Sequence, residues 1–290
     1  RGHVDAARWL LENGADVNRV LEDGGTPLFV ACQDGHVDAA RLLLDKGAEV
    51  DRAIEDGETP LFVACDEGHV DAARLLLDNG AEVDRANKNG ATPLFIACVK
   101  GHVDAARLLL NNGAEVDRAN KDGWTPLWIA CHEGHVAVVR LLLDHGADVN
   151  RADEGGETPL YTACEEGHLD AAQLLLERGA VFENNSSALC EGNTVEVRYR
   201  GREKYYPGKI SRDCGEGKYD IAYDDGEREK NVESRLIRKL SLSPLYIACK
   251  NGHVDAARLL LEKGAEVNWA NKNGQTPLHI VCLEGHVDAA

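Results

Sequence analysis

The sequence predicts a mostly α-helical protein, a solenoid of 33-residue helix–turn–helix–hairpin repeats interrupted by a small all-β insertion. Three observations predict this class. The dipeptide Gly-His returns every 33 residues, and a fixed period in this range is typical of stacked repeats. One interval, from His168 to His253, is longer by 52 residues. Within it the helical pattern gives way to short alternating runs. The recurring histidines are His3, His36, His69, His102, His135, His168, His253 and His286.

Each unit opens with signals for the start of a helix. In the unit from Thr59 onward, the threonine hydroxyl can cap the first amide groups, and Pro60 suits the first helical position. The residues that follow, LFVAC, are largely apolar and predict a short helix. Gly68 is predicted to end this helix, because glycine readily adopts the left-handed conformation that closes a helix.

A second helix is predicted from His69 through VDAARLLLDN. Its apolar residues fall on one stripe at helical spacing, which we expect to be buried. Gly80 stops the helix. The remainder, AEVDRANKNG, contains Asn-Gly and predicts an extended finger that turns back to the next Thr-Pro. The predicted stripe consists of Val70, Ala73, Leu76 and Leu77.

The unit resembles the ankyrin repeat, whose pattern has a Gly-x-Thr-Pro-Leu-His start and a Leu-Leu-x-x-Gly-Ala end. The resemblance covers roughly residues 1–183 and 243–290. It implies ankyrin repeats over 1–184 and 242–290, with the first and last repeat partial, and an inserted domain over 185–241. The histidine of the family pattern is kept at His279 and is aromatic in the other units. These aromatic residues are Phe29, Phe62, Phe95, Trp128, Tyr161 and Tyr246.

Composition and charge narrow the function classes. The net charge is −18. The segment 191–239 holds 12 basic and 11 acidic residues, so the net negative charge of the chain lies in the array. Phosphates would be repelled, which argues against nucleic acid as a partner of the array.

No apolar run reaches the ~20 residues of a membrane helix. Methionine is absent, and we expect the sequence to be an excerpt of a longer array that includes capping repeats.

Seven cysteines share one repeat position, directly after alanine in the first helix. Equivalent positions in stacked helices lie ~8–10 Å apart, beyond the ~7 Å Cα limit for a disulfide, and zinc ligands lie closer still. We therefore expect buried thiols, no metal and no cofactor. Nine cysteines without a pairing pattern favour a reducing compartment, cytoplasmic or nuclear. The histidines each follow a helix-ending glycine and predict a structural turn role. The seven cysteines are Cys32, Cys65, Cys98, Cys131, Cys164, Cys249 and Cys282.

Acidic residues concentrate at finger and first-helix positions, where ankyrin-repeat proteins generally contact their targets. One interpretation is a solvated acidic face that keeps the protein soluble. The other is an acidic groove for a basic segment of a partner protein. Val99, Lys100, Lys121 and Trp124 interrupt the acids, and an apolar anchor ringed by charges is typical of a binding hot spot. The candidate protein-binding residues are Trp124, Val99, Lys121, Asp34, Glu58, Asp66, Glu67, Glu133 and Glu157.

The inserted segment predicts four or five short strands. TVEVRY at 194–199 and KYDIAY at 218–223 alternate, with YYPGKISR between them and a further run at 227–232. Asp225-Gly226 predicts a tight hairpin turn. So many short strands in about 50 residues favour a small twisted barrel. Because the repeat pattern resumes in register at Ser243, we expect the later helices to stack directly on the earlier ones.

This segment resembles a Tudor domain, an SH3-like barrel that in chromatin proteins reads methylated lysine. The resemblance rests on VEVRY at 195–199, YPGKI at 206–210 and GKYDIAYDDG at 217–226. It implies an aromatic cage with one acid, in which ring faces attract the methylated ammonium. The position of a fourth aromatic residue holds Glu227. The alternative is an interaction or structural module whose tyrosines pack in the barrel. The candidate cage residues are Tyr199, Tyr206, Tyr223 and Asp225.

The sequence predicts a non-catalytic scaffold or adaptor. It contains no phosphate-binding loop and no Ser/His/Asp set outside the repeat pattern. The array is expected to bind a partner protein, with a basic or methylated segment as one option, and the insertion to read methylated lysine or arginine. No membrane partner is expected. The alternative function is a chromatin-associated methyl-lysine reader whose ankyrin array is a structural platform.

Overall fold

Repeats that each consist of a pair of short helices and a finger turn make up most of the described chain, before and after one β-sheet. The computed structural model describes residues 2–182, 194–197, 206–215, 218–223, 226–233, 237–239, 243–271 and 274–286. Their contacts divide the chain into two units, Arg1–Val149 and Asn150–Ala290. Among the described residues, no helix is both long enough and apolar enough to cross a membrane.

The first helix of each pair begins at the predicted proline. Thr59 Oγ1 accepts a hydrogen bond from the amide of Phe62 at 3.1 Å, and the same cap recurs in the repeats that begin at Thr26, Thr92, Thr125 and Thr158. In the last repeat, Thr276 and His279 form a reciprocal capping box. The predicted helix starts are therefore confirmed. The first helices are α2 (Pro27–Gln33), α4 (Pro60–Asp66), α6 (Pro93–Val99), α8 (Pro126–His132), α10 (Pro159–Glu165), α12 (Pro244–Lys250) and α14 (Pro277–Glu284).

The second helices also lie where the pattern predicts them, but the predicted buried stripe is partly wrong. In the second helix that begins at Val70, Ala72, Ala73, Leu75 and Leu76 are buried, whereas Val70 and Leu77 are half-exposed. This helix packs against its own first helix and against a second helix on either side, so it buries a broad sector in place of one narrow stripe. The second helices are α1 (Gly2–Glu12), α3 (Val37–Asp45), α5 (Val70–Asp78), α7 (Val103–Asn111), α9 (Val136–Asp144), α11 (Leu169–Glu177) and α13 (Val254–Glu262).

The Gly-His dipeptide links neighbouring repeats. The Nε2–H of His102 donates to the carbonyl oxygen of Asp66 in the preceding first helix at 3.0 Å. His135 makes the same bond to Val99 at 3.0 Å. Gly68 has a φ of +73°, and a Cβ there would lie 2.8 Å from the His102 ring. The histidines thus have the predicted structural role, and the glycine also makes room for the next histidine.

The fingers are hairpin turns and contain no strand in the described residues. Asn87 N donates to Ala91 O at 2.9 Å, and Gly90 N donates to Asn87 O at 3.0 Å, which closes the predicted turn. A side-chain oxygen of an Asp or Asn residue in one finger accepts from the backbone of the next finger: Asp84 accepts from the amide of Glu115 at 3.1 Å. Equivalent bonds recur at Asn18, Asp51, Asp117 and Asn150.

Leucine and cysteine side chains fill the space between the helices. The leucine after each Thr-Pro is fully buried from Leu28 to Leu160. Burial raises the pKa of Cys32 to about 12, so its thiol stays protonated at neutral pH. The prediction of buried thiols is confirmed for the cysteines of α2, α4, α6, α8, α10 and α12. It is wrong for Cys282, which is exposed, because its helix α14 packs mainly against α12.

The insertion contains an antiparallel five-stranded sheet. Its strands are β1 (Thr194–Val197), β2 (Tyr206–Gly215), β3 (Lys218–Tyr223), β4 (Arg228–Glu233) and β5 (Ile237–Lys239). Their order is β4-β3-β2-β1-β5. The prediction for β3 is confirmed in both its bounds. Gly226 N donates to Tyr223 O at 3.0 Å, as expected of a tight turn. The sheet has its own core of Val197, Ile210, Tyr219, Ile221, Tyr223 and Val232.

The repeat stack continues across the insertion within the second unit. Helix α12 packs against α10, and α13 packs against α11. Asn251 Nδ2 donates to Glu165 O at 2.9 Å, and His253 Nε2 donates to the same oxygen at 2.9 Å. The expectation that the later helices stack on the earlier ones is therefore confirmed.

Candidate functional site

Three positions of each repeat are spaced four residues apart. The first is the residue directly before Thr-Pro, which precedes the first helix, and the other two lie within that helix. Four residues are close to one helical turn, so the two helical side chains lie on one side of the helix. We call each set a rung. The rungs of the first unit are Gly25-Phe29-Gln33, Glu58-Phe62-Asp66, Ala91-Phe95-Val99 and Trp124-Trp128-His132.

The rung of α8 is a column of three stacked rings. The Trp124 and Trp128 rings are 4.9 Å apart between centroids, with an interplanar angle of 4°. The Trp128 and His132 rings are 5.4 Å apart at 15°. Trp128 is buried, while Trp124 and His132 are half-exposed. The packing role predicted for Trp128 is confirmed, and this residue holds the predicted anchor Trp124 in place.

The structure adds His132, which the sequence reasoning missed. The spacing Trp-x-x-x-Trp-x-x-x-His would have revealed it, because residues four apart share one side of a helix. His132 Nε2 also lies 4.0 Å from Glu133 Oε1. The candidate residue Glu133 is exposed at the end of α8, next to the ring column. Asn120 Oδ1 accepts from the amide of Trp124 at 3.0 Å, which fixes the backbone before the helix.

The rung of α4 is acidic. Burial and the charges of Asp66 and Asp56 raise the pKa of Glu58, because each of these effects disfavours its charged form. Lys100 Nζ, from the next repeat, lies 3.5 Å from Asp66 Oδ1. Three carboxylates and one ammonium group therefore give this part of the face a net negative charge.

The rung of α6, between the acidic rung and the ring column, is small and apolar. Ala91 and Phe95 are buried, and Val99 is half-exposed. The carbonyl oxygen of Val99 is held by the His135 ring at 3.0 Å. The structure thus places Glu58, Asp66, Val99 and Trp124 on consecutive first helices that pack against each other, α4 on α6 and α6 on α8.

The remaining candidates of the first unit flank this face. Asp34 and Glu67 are exposed caps at the ends of α2 and α4. Lys121 is exposed in the finger before α8, and its amide donates to Asn89 O of the preceding finger at 3.0 Å. These residues surround the rungs without being part of them.

The second unit carries another acidic rung on α10. Burial, together with the charges of Asp153 and Glu165, raises the pKa of Glu157 to about 7. Tyr161, the middle residue of this rung, is buried. On the following first helix, Tyr246 packs edge-on against Trp269, with 5.7 Å between ring centroids. Asn271 Nδ2 donates to the Tyr246 hydroxyl at 3.0 Å.

The candidate cage falls only partly within the described residues, which exclude Tyr199 and Asp225. Tyr206 is 36% exposed, and Tyr223 is 6% exposed. The Tyr223 hydroxyl donates to Glu229 Oε2 at 2.7 Å. Gly208 pairs with Tyr223 across β2 and β3, and residues two apart in a strand share a face. Tyr206 and Tyr223 therefore lie on the same face of the sheet.

In the described residues, no three His, Cys, Asp or Glu side chains are grouped so that they could hold a metal ion.

Comparison with known proteins identifies the repeats. The family of ankyrin repeats, described in three copies, matches residues 1–54, 51–120, 112–186 and 226–290. No family match supports the Tudor resemblance of the insertion, and comparison with curated proteins finds no match. The family match covers most of the sequence, and the capped helix pairs and finger turns described above lie within it. The chain therefore belongs to the ankyrin-repeat family.

Proposed function

We propose that the first unit binds a basic segment of a partner protein, with Trp124 as the apolar anchor. Membership of the ankyrin-repeat family indicates a protein–protein interaction scaffold, and members are generally non-catalytic. The observation that carries the finer proposal is the ring column on α8, which holds a half-exposed Trp124 rigidly on the same face as the acidic rung.

Rigidity makes Trp124 suitable as an anchor. A side chain that is already ordered loses little conformational entropy when a partner covers it. Trp124 is stacked on the buried Trp128, and its backbone amide is bound by Asn120. Tryptophan is among the residues most enriched at binding hot spots.

The surrounding charge supports a basic partner. The charges of Asp66 and Asp56 lie close enough to Glu58 to disfavour its charged form. Asp34, Glu67 and Glu133 flank the face as exposed carboxylates. A lysine or arginine placed near Glu58 would relieve this repulsion. Charge complementarity of this kind also steers the approach of a partner.

The experiment is a fluorescence-anisotropy titration of the full chain with a pool of labelled basic 12-residue peptides. Binding is expected to weaken steeply with added salt, because exposed charges are screened beyond ~8–10 Å. Trp124→Ala should weaken binding about fivefold or more, the factor that corresponds to ~1 kcal/mol.

Trp9→Ala is the matched control, because Trp9 is 64% exposed on α1, outside the rungs. Binding that ignores both salt and Trp124→Ala, or that responds equally to Trp9→Ala, would rule out this function.

A second candidate function, methyl-lysine reading by the insertion, is supported by the shared face of Tyr206 and Tyr223. Closure of the sheet into a Tudor-like barrel is part of this proposal. It is supported by β5, which follows β4 in sequence but pairs with β1 at the opposite edge. Register shifts in β2 and β3 also support curvature, because bulges bend strands. The burial of Tyr223 and its bond to Glu229 favour the alternative, a packed interaction module.

These two functions of the insertion are separated by an NMR titration of the full chain with matched un-, mono-, di- and trimethyl-lysine peptides. The reader function predicts weak binding of mono- and dimethyl-lysine above the other forms, since an exposed cation–π contact contributes only ~0.5–1 kcal/mol. Tyr206→Ala should abolish the preference, whereas Tyr206→Phe keeps the ring and should retain it. Identical shifts for unmodified lysine would leave the interaction module.

A further inference from the structure

The finger that follows α13 carries an aromatic residue at a position where the earlier fingers carry arginine. This residue, Trp269, packs edge-on against Tyr246 of α12, with 5.7 Å between the ring centroids and 65° between the ring planes. Both side chains are half-exposed, so two rings meet at an angle on the surface of the second unit. We call Tyr246 and Trp269 the aromatic corner. The arginines at the equivalent position are Arg19, Arg52, Arg85, Arg118 and Arg151.

Hydrogen bonds hold the aromatic corner in place. Asn271 Nδ2 donates to the Tyr246 hydroxyl at 3.0 Å and to Gln275 Oε1 at 2.9 Å. Asn271 Oδ1 accepts from the amide of Gln275 at 3.0 Å. These bonds tie the finger that carries Trp269 to the helix that carries Tyr246. Rings that are already ordered lose little conformational entropy when a partner covers them.

Carboxylates of the neighbouring helix α10 lie beside the corner. Burial and the charges of Glu165 and Glu157 raise the pKa of the Tyr161 hydroxyl. The Tyr246 hydroxyl has the same effect on Tyr161, so it lies near the same point as the two carboxylates. Asp153 adds a third negative charge close to Glu157. The surroundings of the corner on this side are therefore acidic.

These neighbours make the corner suitable for a cation. Helix α12 packs against both α10 and α14, so Tyr246 lies between the carboxylates of α10 and the finger that carries Trp269. Lys250, at the end of α12, is one helical turn beyond Tyr246, and its single charge does not balance three carboxylates. Aromatic ring faces attract cations, and tryptophan attracts them most strongly.

A guanidinium group suits this arrangement better than an ammonium group. Arginine is planar, so it can stack on a ring, and its N–H groups form a rigid fork that donates to carboxylates. It is also more weakly hydrated than the compact ammonium group of lysine.

We infer that the aromatic corner docks an arginine side chain of a partner protein, with the guanidinium group stacked against Tyr246 and Trp269 and paired with Glu165. This site lies in the second unit and goes beyond the proposed function, because it has its own aromatic residues and its own carboxylates.

The test is an NMR titration of the ¹⁵N-labelled full chain with acetyl-Gly-Arg-Gly-amide. The chain contains four tryptophans, Trp9, Trp124, Trp128 and Trp269, and each indole N–H signal reports on its own site. We expect the Trp269 signal to shift in a saturable way, while the signal of Trp9 stays unchanged. The same peptide with citrulline, which has the shape of arginine without its charge, should bind about fivefold more weakly. A lysine peptide should also bind more weakly than the arginine peptide.

The repeats supply a matched variant. Trp269→Arg introduces the residue that five other fingers carry at this position, so we expect it to fold as the wild type does and to lose the binding. Circular dichroism checks the fold, and the backbone amide of Tyr246 reports on binding.

Glu165→Gln tests the charge independently and should weaken binding about fivefold. Glu166→Gln removes the exposed neighbouring carboxylate and should have a smaller effect.

Each outcome decides the inference. A saturable shift of Trp269 that favours arginine and is reduced by Glu165→Gln supports it. Equal binding of the arginine and citrulline peptides would show an apolar surface, and equal binding of arginine and lysine would show unspecific charge; either result overturns it. Shifts confined to Trp124 overturn this inference and leave the proposed function of the first unit standing.

Discussion

At the scale of single residues, the structure explains why glycine and histidine recur together. Gly68 ends α4 in the left-handed conformation and also lies against the ring of His102. That ring in turn donates to the Asp66 carbonyl group at the end of α4, a group that the helix itself leaves without a partner. Gly68 thus closes α4 and leaves room for the His102 ring, which binds the next repeat to the end of α4.

The first prediction separates these two roles of glycine. Gly68→Ala should destabilise the protein by more than the ~1–2 kcal/mol that a left-handed conformation imposes on a residue with a Cβ. The additional loss arises because the new Cβ would lie 2.8 Å from the His102 ring. Urea denaturation followed by circular dichroism gives the free energy of unfolding.

Gly80→Ala is the matched control for this measurement. Gly80 has a similar φ of +86°, but a Cβ there meets nothing within 4 Å. Equal losses for the two variants would show that the contact with His102 contributes nothing.

The second prediction at this scale concerns Glu157, whose pKa is raised to about 7 from an ordinary 4.5. Between these values the folded state binds more protons than the unfolded state. The contribution of Glu157 to the free energy of unfolding therefore falls as pH rises through this window and is constant above it.

Glu157→Gln removes this titration, so the stability difference, wild type minus variant, should fall between about pH 4.5 and pH 7. The effect is reduced by solvent screening, because Glu157 is half-exposed. Urea denaturation at a series of pH values measures it. Glu154→Gln removes an exposed carboxylate from the same finger, and an equal slope for both variants would contradict the assignment to Glu157.

At the scale of elements, the first helices are too short to be stable alone. Most contain seven residues, well below the ~12–15 residues at which isolated helices become marginal in water. Their stability therefore comes from the caps at their starts and from burial of the leucine and cysteine side chains. The threonine cap is itself buried, and Thr59 is fully inaccessible to solvent. If the hydrogen bond between Thr59 and the Phe62 amide were lost, no water could take its place.

The third prediction tests this cap. Thr59→Val keeps the shape of the side chain but removes the oxygen that accepts from Phe62 N at 3.1 Å. We expect a loss of ~0.5–2 kcal/mol in the free energy of unfolding, as for other N-cap deletions. Thr59→Ser retains the hydroxyl, as Ser243 does naturally at the start of α12, and should lose less. If valine and serine were equivalent, the hydrogen bond would be unimportant for stability.

At the scale of the whole molecule, the repeats within each unit pack on their neighbours, as is typical of solenoids. Within the second unit the array is maintained across the insertion, through the packing of α12 on α10 and α13 on α11. The insertion occupies the place of a finger, and surface loops tolerate inserted domains well.

The fourth prediction follows from this continuity. Replacing residues 185–239 with the finger sequence AEVDRANKNG of another repeat should leave a folded protein with a single cooperative unfolding transition. The physical reason is that the bonds from Asn251 and His253 to Glu165 O do not involve the insertion. Circular dichroism and limited proteolysis measure the outcome, and rapid cleavage within 243–290 would contradict it.

Much of the candidate face could be predicted from the sequence, because the repeat period puts equivalent residues into register. Trp124 stands out because the equivalent position of the other repeats holds a different residue. Comparing the repeats with one another identifies Glu58 and Val99 in the same way. The stacking of His132 and the ion pair between Lys100 and Asp66 were not predicted. Both depend on distances between side chains, one within a helix and one between repeats, that a list of variable positions does not contain.

The sequence by itself determined the repeat and its helix starts and ends, since these depend on local capping, backbone preferences and a fixed period. Only the tertiary structure decided the full set of buried side chains, beyond the thiols and stripe residues that the pattern predicts correctly. Ala72 and Leu75 are covered although they lie off the predicted stripe, because helices pack on α5 from three sides. Tyr223 is likewise covered by residues distant in sequence, because neighbouring strands place Ile210 and Val232 in the same cluster. Burial depends on neighbours that are distant in sequence, and local patterns alone do not specify those neighbours.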